Sequence, residues 1–424
     1  MKEDFLQYIW VNSLYGLGEY TTYSGKKIRI LEPGQLNRDA GPDFFNARIL
    51  MDDVVMAGNV EIHLKSSDWF RHKHHEDAAY NNVILSVVKE DDVRIYNKNG
   101  KEVECVTLEY AEALYDEYIF MQGSRRQPGC YRRLETLDDA WFYFTLQSYA
   151  VERLERKVND IRGILEQTGN DWEECFYRLL CKYWSGNVNS DAFYQLALVL
   201  PYKVILKYAD RPFAVEALLM GCSGFLANIP ADEYTTVLKD EFNYLKAKHK
   251  LDVVDPVCWK FMRIRPDSFP TVRLALLAAL LCRFGNLTSR ILETDSVEDV
   301  VELLGINASS YWNTHYTFGN PSVYKEKRMG YPIRNIIIIN AVVPFLFVYG
   351  RERGEEKYVD KALAWLEKLK PESNYIITSW EECGFVFDSA MQTQALIQLR
   401  KEYCDRHRCL NCKIGREVLK QVSS

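Results

Sequence analysis

The residues most able to do chemistry lie in the stretch "AGPDFFNARILMDDVVMAGNVEIHLKSSDW", which runs from Ala40 to Trp69. Within it, Asp43 follows a proline, and Glu61, His63 and Lys65 recur at every second position. Residues at this spacing share one face of a β-strand. A carboxylate, an imidazole and an ammonium group are therefore predicted to lie side by side, with a second carboxylate upstream.

A hairpin is predicted to bring the two carboxylates together, because Asp52-Asp53 separates two strand patterns rich in Val and Ile. Hard divalent cations take oxygen ligands, and a bound cation can activate water and neutralise a phosphate. We therefore predict that Asp43 and Glu61 bind Mg²⁺ or Mn²⁺. In this hypothesis Lys65 stabilises developing charge, and His63 is an additional ligand or a base.

Histidines are concentrated directly after this candidate strand, where four of the seven lie between His63 and His75. Imidazole binds transition metals and titrates near neutral pH. If the segment folds back over the strand, Mn²⁺ or Zn²⁺ is favoured over Mg²⁺ alone. A polar segment holding Gly34 and Gly41 precedes the strand pair and reads as a loop that leads the chain into the site. The predicted substrate contacts are Gln35, Arg38, His72 and His74.

The order of these elements resembles the core of the PD-(D/E)xK nuclease superfamily. A helix, a strand, the Pro42-Asp43 strand, the Glu61 strand, a helix and a strand follow one another. The resemblance implies a restriction-endonuclease-like mixed sheet flanked by helices, and metal-dependent hydrolysis of DNA or RNA phosphodiesters. The sequence departs from the motif at His63, which stands where the superfamily has lysine. Lys65 lies two residues further along the same face.

Three alternatives to a nuclease stay open. Charged residues that alternate with apolar ones are typical of any half-exposed antiparallel strand. A degenerate nuclease-like core could bind nucleic acid or a protein without catalysis, and His63 in place of lysine favours this alternative. A metal hydrolase could instead use His72, His74 and Asp77 as ligands and act on a substrate other than nucleic acid.

A second candidate metal site lies in the C-terminal segment "YCDRHRCLNCKIG". Cys404, His407, Cys409 and Cys412 would form a Cys3His set for Zn²⁺ or part of an iron–sulfur site. Cys383 is a candidate fourth ligand, and free thiols beside the last helix are the alternative. The segment is also basic, which suits a phosphate backbone. Its basic residues are Lys401, Arg406, Arg408, Lys413 and Arg416.

Composition bounds the remaining possibilities. The chain has 424 residues and a net charge of −6, which excludes a uniformly basic nucleic-acid coat but not a local basic groove. The longest apolar run, residues 336–349, is short and contains Asn and Pro, so we predict a buried helix and no membrane span. The charged N-terminus and the scattered cysteines predict a cytoplasmic protein. The oligomeric state is left open.

The chain changes character after its first third. Strand patterns with period two give way near Leu134 to helical periodicity, and Gln122–Arg133 reads as a linker. We therefore predict an α+β or α/β domain over residues 1–125. A large all-α domain, which carries the Cys-rich segment, is predicted over residues 126–424.

Five motifs extend a second resemblance over nearly the whole chain: "GNVEIHLKSSDW", "YNNVILSVV", "VEALLMGCSGFL", "WKFMRIRPDSFPT" and "CLNCKIG". Together they resemble an uncharacterised bacterial family, domain of unknown function 2851. This resemblance implies no activity, so the nuclease hypothesis depends on the candidate site residues and on the strand order.

Overall fold

The chain folds into two compact units. The computed structural model describes residues 2–16, 18–37, 39–123, 126–227, 229 and 232–423. The first unit combines Met1–Thr145 with Leu399–Ser424, and the second is Leu146–Gln398. This division differs from the predicted domains in two respects. The boundary lies after Thr145 and not at residue 125, and the C-terminal Cys-rich segment belongs to the first unit instead of the helical one.

The first unit is built on a mixed seven-stranded sheet and a separate two-stranded ribbon. Its main path runs β1-β2-β4-β5-β6-β9, with β3 paired to β4, and the ribbon is β7-β8. The strands are β1 Tyr20–Thr21, β2 Lys27–Glu32, β3 Gln35–Leu36, β4 Phe44–Met51, β5 Val54–Lys65, β6 Val83–Glu90, β7 Ile95–Tyr96, β8 Glu102–Val103 and β9 Cys105–Thr107.

The predicted hairpin at Asp52-Asp53 is confirmed. Both residues have positive φ, 44° and 69°, and Met51 pairs directly with Val54. A two-residue turn with both central residues at positive φ matches the twist of the flanking strands. Asp43, one residue before β4, is thereby placed beside the second half of β5.

Strand β5 is central in the sheet. It pairs antiparallel with β4 on one side and parallel with β6 on the other. Helix α1 (Glu3–Val11) contacts β5 through an apolar side that includes Phe5, Ile9 and Trp10, all fully buried. Residues near the end of β5 are therefore covered, and a polar side chain there must find a partner inside the protein.

The remaining helices lie mostly beyond the sheet, which agrees with the prediction of a mixed N-terminal sheet followed by a largely helical region. They are α2 Asp68–Arg71, α3 Glu112–Gly123, α4 Asp139–Gln167, α5 Trp172–Tyr183, α6 Ser190–Val199, α7 Tyr202–Leu206, α8 Pro212–Cys222, α9 Glu233–His249, α10 Pro270–Phe284, α11 Leu287–Glu293, α12 Val297–Leu303, α13 Tyr331–Ile337, α14 Val343–Arg353, α15 Glu356–Lys368, α16 Tyr375–Glu381, α17 Ala390–Leu399 and α18 Lys413–Ser423.

The core of the second unit contains the longest apolar run of the sequence. A π-helical turn, Ile338–Val342, joins α13 to α14. The combined segment, Tyr331–Arg353, has the length of a membrane span, and its most apolar 18-residue window has a mean hydropathy of 1.8, yet 72% of that window is buried inside the protein. The prediction of a buried helix over residues 336–349 is confirmed.

Candidate metal centre

The histidine-rich segment after β5 turns back sharply toward the strand. The predicted role of its histidines depended on such a turn. His72 ends α2, and the N–H of Lys73 donates to the carbonyl of Phe70. Lys73 adopts the left-handed conformation, with φ of 62°, and so reverses the chain. His74 then begins a 3-10 turn and returns toward the strand. The chain reversal at one residue thus brings His72 and His74 into contact with each other.

Three imidazoles meet at this point. One nitrogen each of His63, His72 and His74 lies within 4.8 Å of the other two. The ring centroid of His63 is 5.1 Å from that of His72 and 5.2 Å from that of His74. His63 and His74 are buried, whereas His72 is exposed. The group is therefore a partly enclosed set of nitrogen ligands with access from solvent through His72.

Several of these buried nitrogens have no partner. His63 is 1% exposed and His74 is 8% exposed. Among the described residues, neither ring nitrogen of His63 forms a hydrogen bond, and neither does Nε2 of His74. Each such buried group costs about 1–3 kcal/mol. Burial first, and then His74, His72 and Arg71, lower the pKa of His63 to about 3. The ring is therefore neutral, which is the form that binds a metal.

Glu61 adds one oxygen to the three imidazoles. Its Oε1 lies 3.2 Å from Nε2 of His74 and 3.6 Å from Nε2 of His63. The 3.2 Å approach does not meet the geometry of a hydrogen bond, so Nε2 of His74 has no hydrogen-bond partner. The other oxygen, Oε2, accepts the backbone N–H of Asp43 at 2.9 Å. Asp43 thus fixes the carboxylate with Oε1 toward the histidines.

Asp43 lies beside Glu61, as the hairpin predicts. Its Oδ1 accepts Nε2–H of Gln7 at 2.9 Å, and its Oδ2 accepts the N–H of Ile62 at 3.0 Å. Burial first, and then Glu61, raise the pKa of Asp43 to about 7, against the opposing effect of these hydrogen bonds. Three of the four carboxylate oxygens thus already accept an N–H group.

The free donor set is therefore three imidazoles and Oε1 of Glu61. Mg²⁺ prefers oxygen ligands, whereas imidazole nitrogen suits Zn²⁺, iron, nickel and copper, and the carboxylate oxygen also suits Mn²⁺. The residues fit a transition metal, and the unpartnered nitrogens of His63 and His74 are the observation that supports this fit. They fit less well the Mg²⁺ held by Asp43 and Glu61 alone that the motif implies.

Aromatic side chains hold the buried imidazole of His74. Tyr80 stacks on it with ring centroids 3.8 Å apart, and Trp69 meets it edge-on at 5.3 Å. Nε1–H of Trp69 donates to the carbonyl of Tyr96 at 2.9 Å. Trp69 and Tyr80 belong to a buried cluster with Val83 and other apolar residues. Packing of this kind fixes the orientation of a ligand before an ion arrives.

Other predicted residues lie elsewhere. Lys65 is exposed and its Nζ lies 2.8 Å from Glu90 on the neighbouring strand. Gln35 is exposed on β3, and Arg38 lies outside the described residues. Asp77 accepts the N–H of Ala79 as a helix cap. The structure therefore joins Asp43, Glu61, His63, His72 and His74, but not Lys65, Gln35 or Asp77.

Two residues near the centre lie on α1 and were not predicted. Gln7 donates to Asp43, and Glu3 lies close enough to His72 for that histidine to oppose a rise in the pKa of Glu3, which burial causes. Both residues stand on the polar side of an ordinary amphipathic helix. The sequence carries no signal that distinguishes them from solvated residues.

A basic cavity of about 650 Å³ adjoins Gln7 within the first unit. Three exposed arginines of the C-terminal segment line it: Arg406, Arg408 and Arg416. Two of them are held in place, because Nη1 of Arg406 lies 3.0 Å from Glu402 and Nη2 of Arg416 donates to Asn12 at 3.0 Å. Gln7 thus faces the cavity and Asp43 together.

The C-terminal cysteines have a different neighbour from the one predicted. His407, proposed as a ligand with Cys404, Cys409 and Cys412, is exposed and lines the cavity. Cys383, proposed as a fourth ligand, belongs to the second unit. The stretch around Cys130 and the C-terminal turns both pack on the end of α3, because Gly129 lies against the carbonyl of Met121 and Gly415 lies against Cε of Met121 and the carbonyl of Cys409. Burial first, and then the three C-terminal thiols, raise the pKa of Cys130.

Comparison with known proteins gives a family but no activity. No curated protein and no solved structure matches the chain. The profile of the family described as "Protein of unknown function (DUF2851)" matches residues 3–375. This range includes Cys130 and the whole histidine and carboxylate cluster, and ends before Cys404. Because the match spans most of the sequence, the chain belongs to the DUF2851 family.

Proposed function

We propose that the protein is a metal-dependent hydrolase that cuts phosphodiester bonds in DNA or RNA. The observation that carries the proposal is the convergence of His63, His72 and His74 on Oε1 of Glu61, with buried nitrogens that lack hydrogen-bond partners. Natural proteins rarely retain several such groups in one place without a function that offsets their cost.

In this proposal the three histidines and Glu61 hold a transition metal such as Mn²⁺ or Zn²⁺. A bound ion of this kind supplies an acidified water and neutralises charge on a phosphate. His63 and His74 are buried beside Trp69 and Tyr80, so the ligand geometry is set by packing. His72 is exposed, so the open side of the centre faces the substrate.

Asp43 and Gln7 are positioning residues in this proposal. The N–H of Asp43 holds Oε2 of Glu61, and Gln7 holds Oδ1 of Asp43. This chain of hydrogen bonds runs from the wall of the basic cavity to the metal ligand. A substrate that displaces or tilts Gln7 would therefore change the orientation of Glu61.

A phosphate-rich substrate is favoured by the cavity next to the centre. The protein carries a net charge of −6, yet Arg406, Arg408 and Arg416 gather around this one cavity. Arginine forms bidentate hydrogen bonds with phosphate. Exposed arginines that line a concave surface attract a polyanion where the rest of the surface repels it.

Cleavage assays test the proposal. Plasmid DNA, single-stranded DNA, RNA and a small phosphodiester are incubated with the full chain in Mn²⁺, Zn²⁺ or Mg²⁺. We expect cleavage of at least one nucleic acid, faster with Mn²⁺ or Zn²⁺ than with Mg²⁺. We expect its loss in Glu61→Ala and His74→Ala. Metal content of the same preparations, by mass spectrometry, should fall in parallel.

The matched control is His75→Ala. His75 belongs to the same turn as His74, but its Nε2 faces Glu76 at 3.4 Å and not Glu61. This variant should retain metal and activity. Cleavage that survives both Glu61→Ala and His74→Ala would overturn the proposed mechanism. Cleavage of the small phosphodiester alone would identify a metal hydrolase that acts on another substrate class.

We also infer a reducing compartment such as the cytoplasm. All eleven cysteines lie among the described residues, and each is a free thiol. Free thiols in this number are typical of compartments in which glutathione and thioredoxin keep cysteine reduced.

A further inference from the structure

Four cysteines that are far apart in the sequence meet within the first unit. Cys404, Cys409 and Cys412 lie in the turns before α18, and Cys130 follows α3. Helix α18 contacts the turn Tyr131–Thr136, which directly follows Cys130, and the turn Cys409–Asn411 contacts α3. In agreement with this packing, the three C-terminal thiols add to the effect of burial in raising the pKa of Cys130. All four cysteines have free thiols.

The backbone explains how the two segments meet. Both pack against Met121, near the end of α3. A Cβ on Gly129 would stand 2.1 Å from the carbonyl oxygen of Met121. A Cβ on Gly415 would stand 2.5 Å from the carbonyl oxygen of Cys409 and 3.3 Å from Cε of Met121. Only glycine allows these close approaches at both positions.

Hydrogen bonds fix the C-terminal turns. The N–H of Cys412 donates to the carbonyls of Arg408 and Cys409, at 3.1 and 3.2 Å. The N–H of His407 donates to the carbonyl of Cys404 at 3.1 Å. The guanidinium of Arg400 donates to the carbonyl of Gln127, which joins the segment to the stretch before Cys130.

We propose that Cys130, Cys404, Cys409 and Cys412 form a four-thiolate site for an iron–sulfur cluster. The C-terminal three have the spacing Cys-x4-Cys-x2-Cys, and a distant fourth cysteine completes a spacing that iron–sulfur proteins use. The site holds no histidine, because His407 faces the basic cavity instead. It is separate from the histidine and carboxylate centre and does not depend on the proposed hydrolase activity.

The burial of these cysteines, of which Cys130 and Cys412 are buried and Cys404 and Cys409 half-buried, supports this assignment. Burial is the largest cause that raises the pKa of Cys130, Cys404 and Cys409, the last to about 12. Without a cation, these thiols stay protonated and unreactive. An iron–sulfur cluster compensates the charge of buried thiolates, so its binding releases their protons.

The cluster would close the first unit by joining its two chain segments. It would also fix the turns that carry Arg406 and Arg408 and the start of α18, which carries Arg416. In this respect it supports the basic cavity of the proposed function without contributing to the histidine centre.

Elemental analysis of the full chain, purified without oxygen and reconstituted with iron and sulfide, tests the site. We expect bound iron and inorganic sulfide and a visible absorption band. Each of Cys130→Ser, Cys404→Ser, Cys409→Ser and Cys412→Ser should lose most of both. His407→Ala and Cys383→Ser are the matched controls, since each replaces an alternative fourth ligand, and both should retain the cluster. Far-UV circular dichroism identifies any variant that fails to fold.

Three results would overturn the proposal. Wild-type protein that folds but binds neither iron nor sulfide excludes the site. A folded Cys130→Ser variant with a full cluster excludes the fourth ligand. Stoichiometric zinc that iron and sulfide cannot replace excludes the cluster. Because the readout is bound iron and sulfide, its outcome is distinguishable from any result of the cleavage assays.

Discussion

Two buried carboxylates, one in each unit, differ in what surrounds them. Glu216 on α8 is 4% exposed, and its Oε1 accepts Nε1–H of Trp312 at 2.5 Å and the hydroxyl of Tyr234 at 2.6 Å. Glu61 on β5 is 6% exposed, and its Oε1 faces two imidazoles that form no hydrogen bond with it.

In the proposed function, this difference separates a structural carboxylate, Glu216, from a metal ligand, Glu61. Glu216 is complete as it stands, because its neighbours donate to it. The polar atoms around Oε1 of Glu61 are incomplete and can be satisfied together by one cation. Burial of an ionisable group alone does not mark a functional site. Several buried polar atoms that converge and lack hydrogen-bond partners do mark one.

Replacement of a ligand by an apolar ring should give the largest contrast. His74→Phe keeps the stack on Tyr80 and removes a buried nitrogen without a partner. We expect metal affinity to fall by more than about 100-fold and the metal-free protein to gain about 1 kcal/mol. Isothermal titration with Mn²⁺ and chemical unfolding measure the two effects. A metal-free variant that is much less stable than wild type would contradict the idea that this nitrogen is unpartnered.

The equivalent truncation in the second unit should act in the opposite direction. Glu216→Ala leaves the N–H of Trp312 and the hydroxyl of Tyr234 buried without an acceptor. We expect a loss of about 2–5 kcal/mol in unfolding free energy, with unchanged metal binding. Urea unfolding gives the first quantity, and titration of Mn²⁺ gives the second. Weaker Mn²⁺ binding in this folded variant would contradict the separation of the two carboxylates.

Removal of the residue that holds Asp43 should give an intermediate effect. Gln7→Ala takes away the donor to Oδ1 and loosens the hydrogen-bonded chain to Glu61. We expect metal affinity to fall about 10–100-fold, while folding is retained. Gln35→Ala is the control, because this exposed glutamine on β3 was not found at the centre. Equal metal affinities of the Gln7→Ala and Gln35→Ala variants would show that Gln7 has no positioning role at the metal centre.

The wild type and the Glu216→Gln variant should differ in how their stability depends on pH. Burial raises the pKa of Glu216, partly opposed by Trp312 and Tyr234. A carboxyl with a raised pKa stabilises the fold fully below its ordinary value of 4.5, and this contribution is lost as pH rises through the folded pKa. The Glu216→Gln variant keeps an acceptor oxygen without that loss. Its melting temperature, relative to wild type, should therefore rise between pH 4 and pH 8.

Lys65 should give the smallest effect. Its ion pair with Glu90 is exposed, and pairs of this kind contribute about 0–1 kcal/mol. We expect Lys65→Ala to change metal affinity and cleavage less than about twofold, since such a pair contributes little elsewhere. The motif lysine of the resemblance would instead be essential. A large loss in this variant would mean that Lys65 leaves Glu90 when substrate binds.

The sequence predicted the elements of the centre better than their exact partners. The hairpin followed from Asp52-Asp53 because two-residue turns have a strong local signature. The chain reversal that brings His72 and His74 together depends on the left-handed conformation of Lys73. A lysine gives no sequence signal for that conformation, so the reversal could not be predicted. The direction of Lys65 depended on a parallel neighbour, β6, whose register no local pattern reveals.

Contacts between residues far apart in the sequence could not be predicted either, because no local pattern reveals them. Gln7 lies on a helix with an ordinary amphipathic pattern, and Cys130 lies far from the other cysteines in sequence. Only the tertiary fold brings Gln7 to Asp43 and Cys130 to Cys404. The Cys-x4-Cys-x2-Cys spacing was visible, and the fourth thiol was not.

The discontinuous first unit has a consequence for how the protein forms during synthesis. Helix α18 packs on α3 and buries Ile414, Val418 and Leu419. The ribosome makes the sheet and α3 before the whole of the second unit, and α18 after it. Contacts between such distant segments form slowly. We therefore expect a nascent chain in which the face of α3 that α18 covers stays exposed until α18 has been made, a period in which this apolar surface makes chaperone binding favourable.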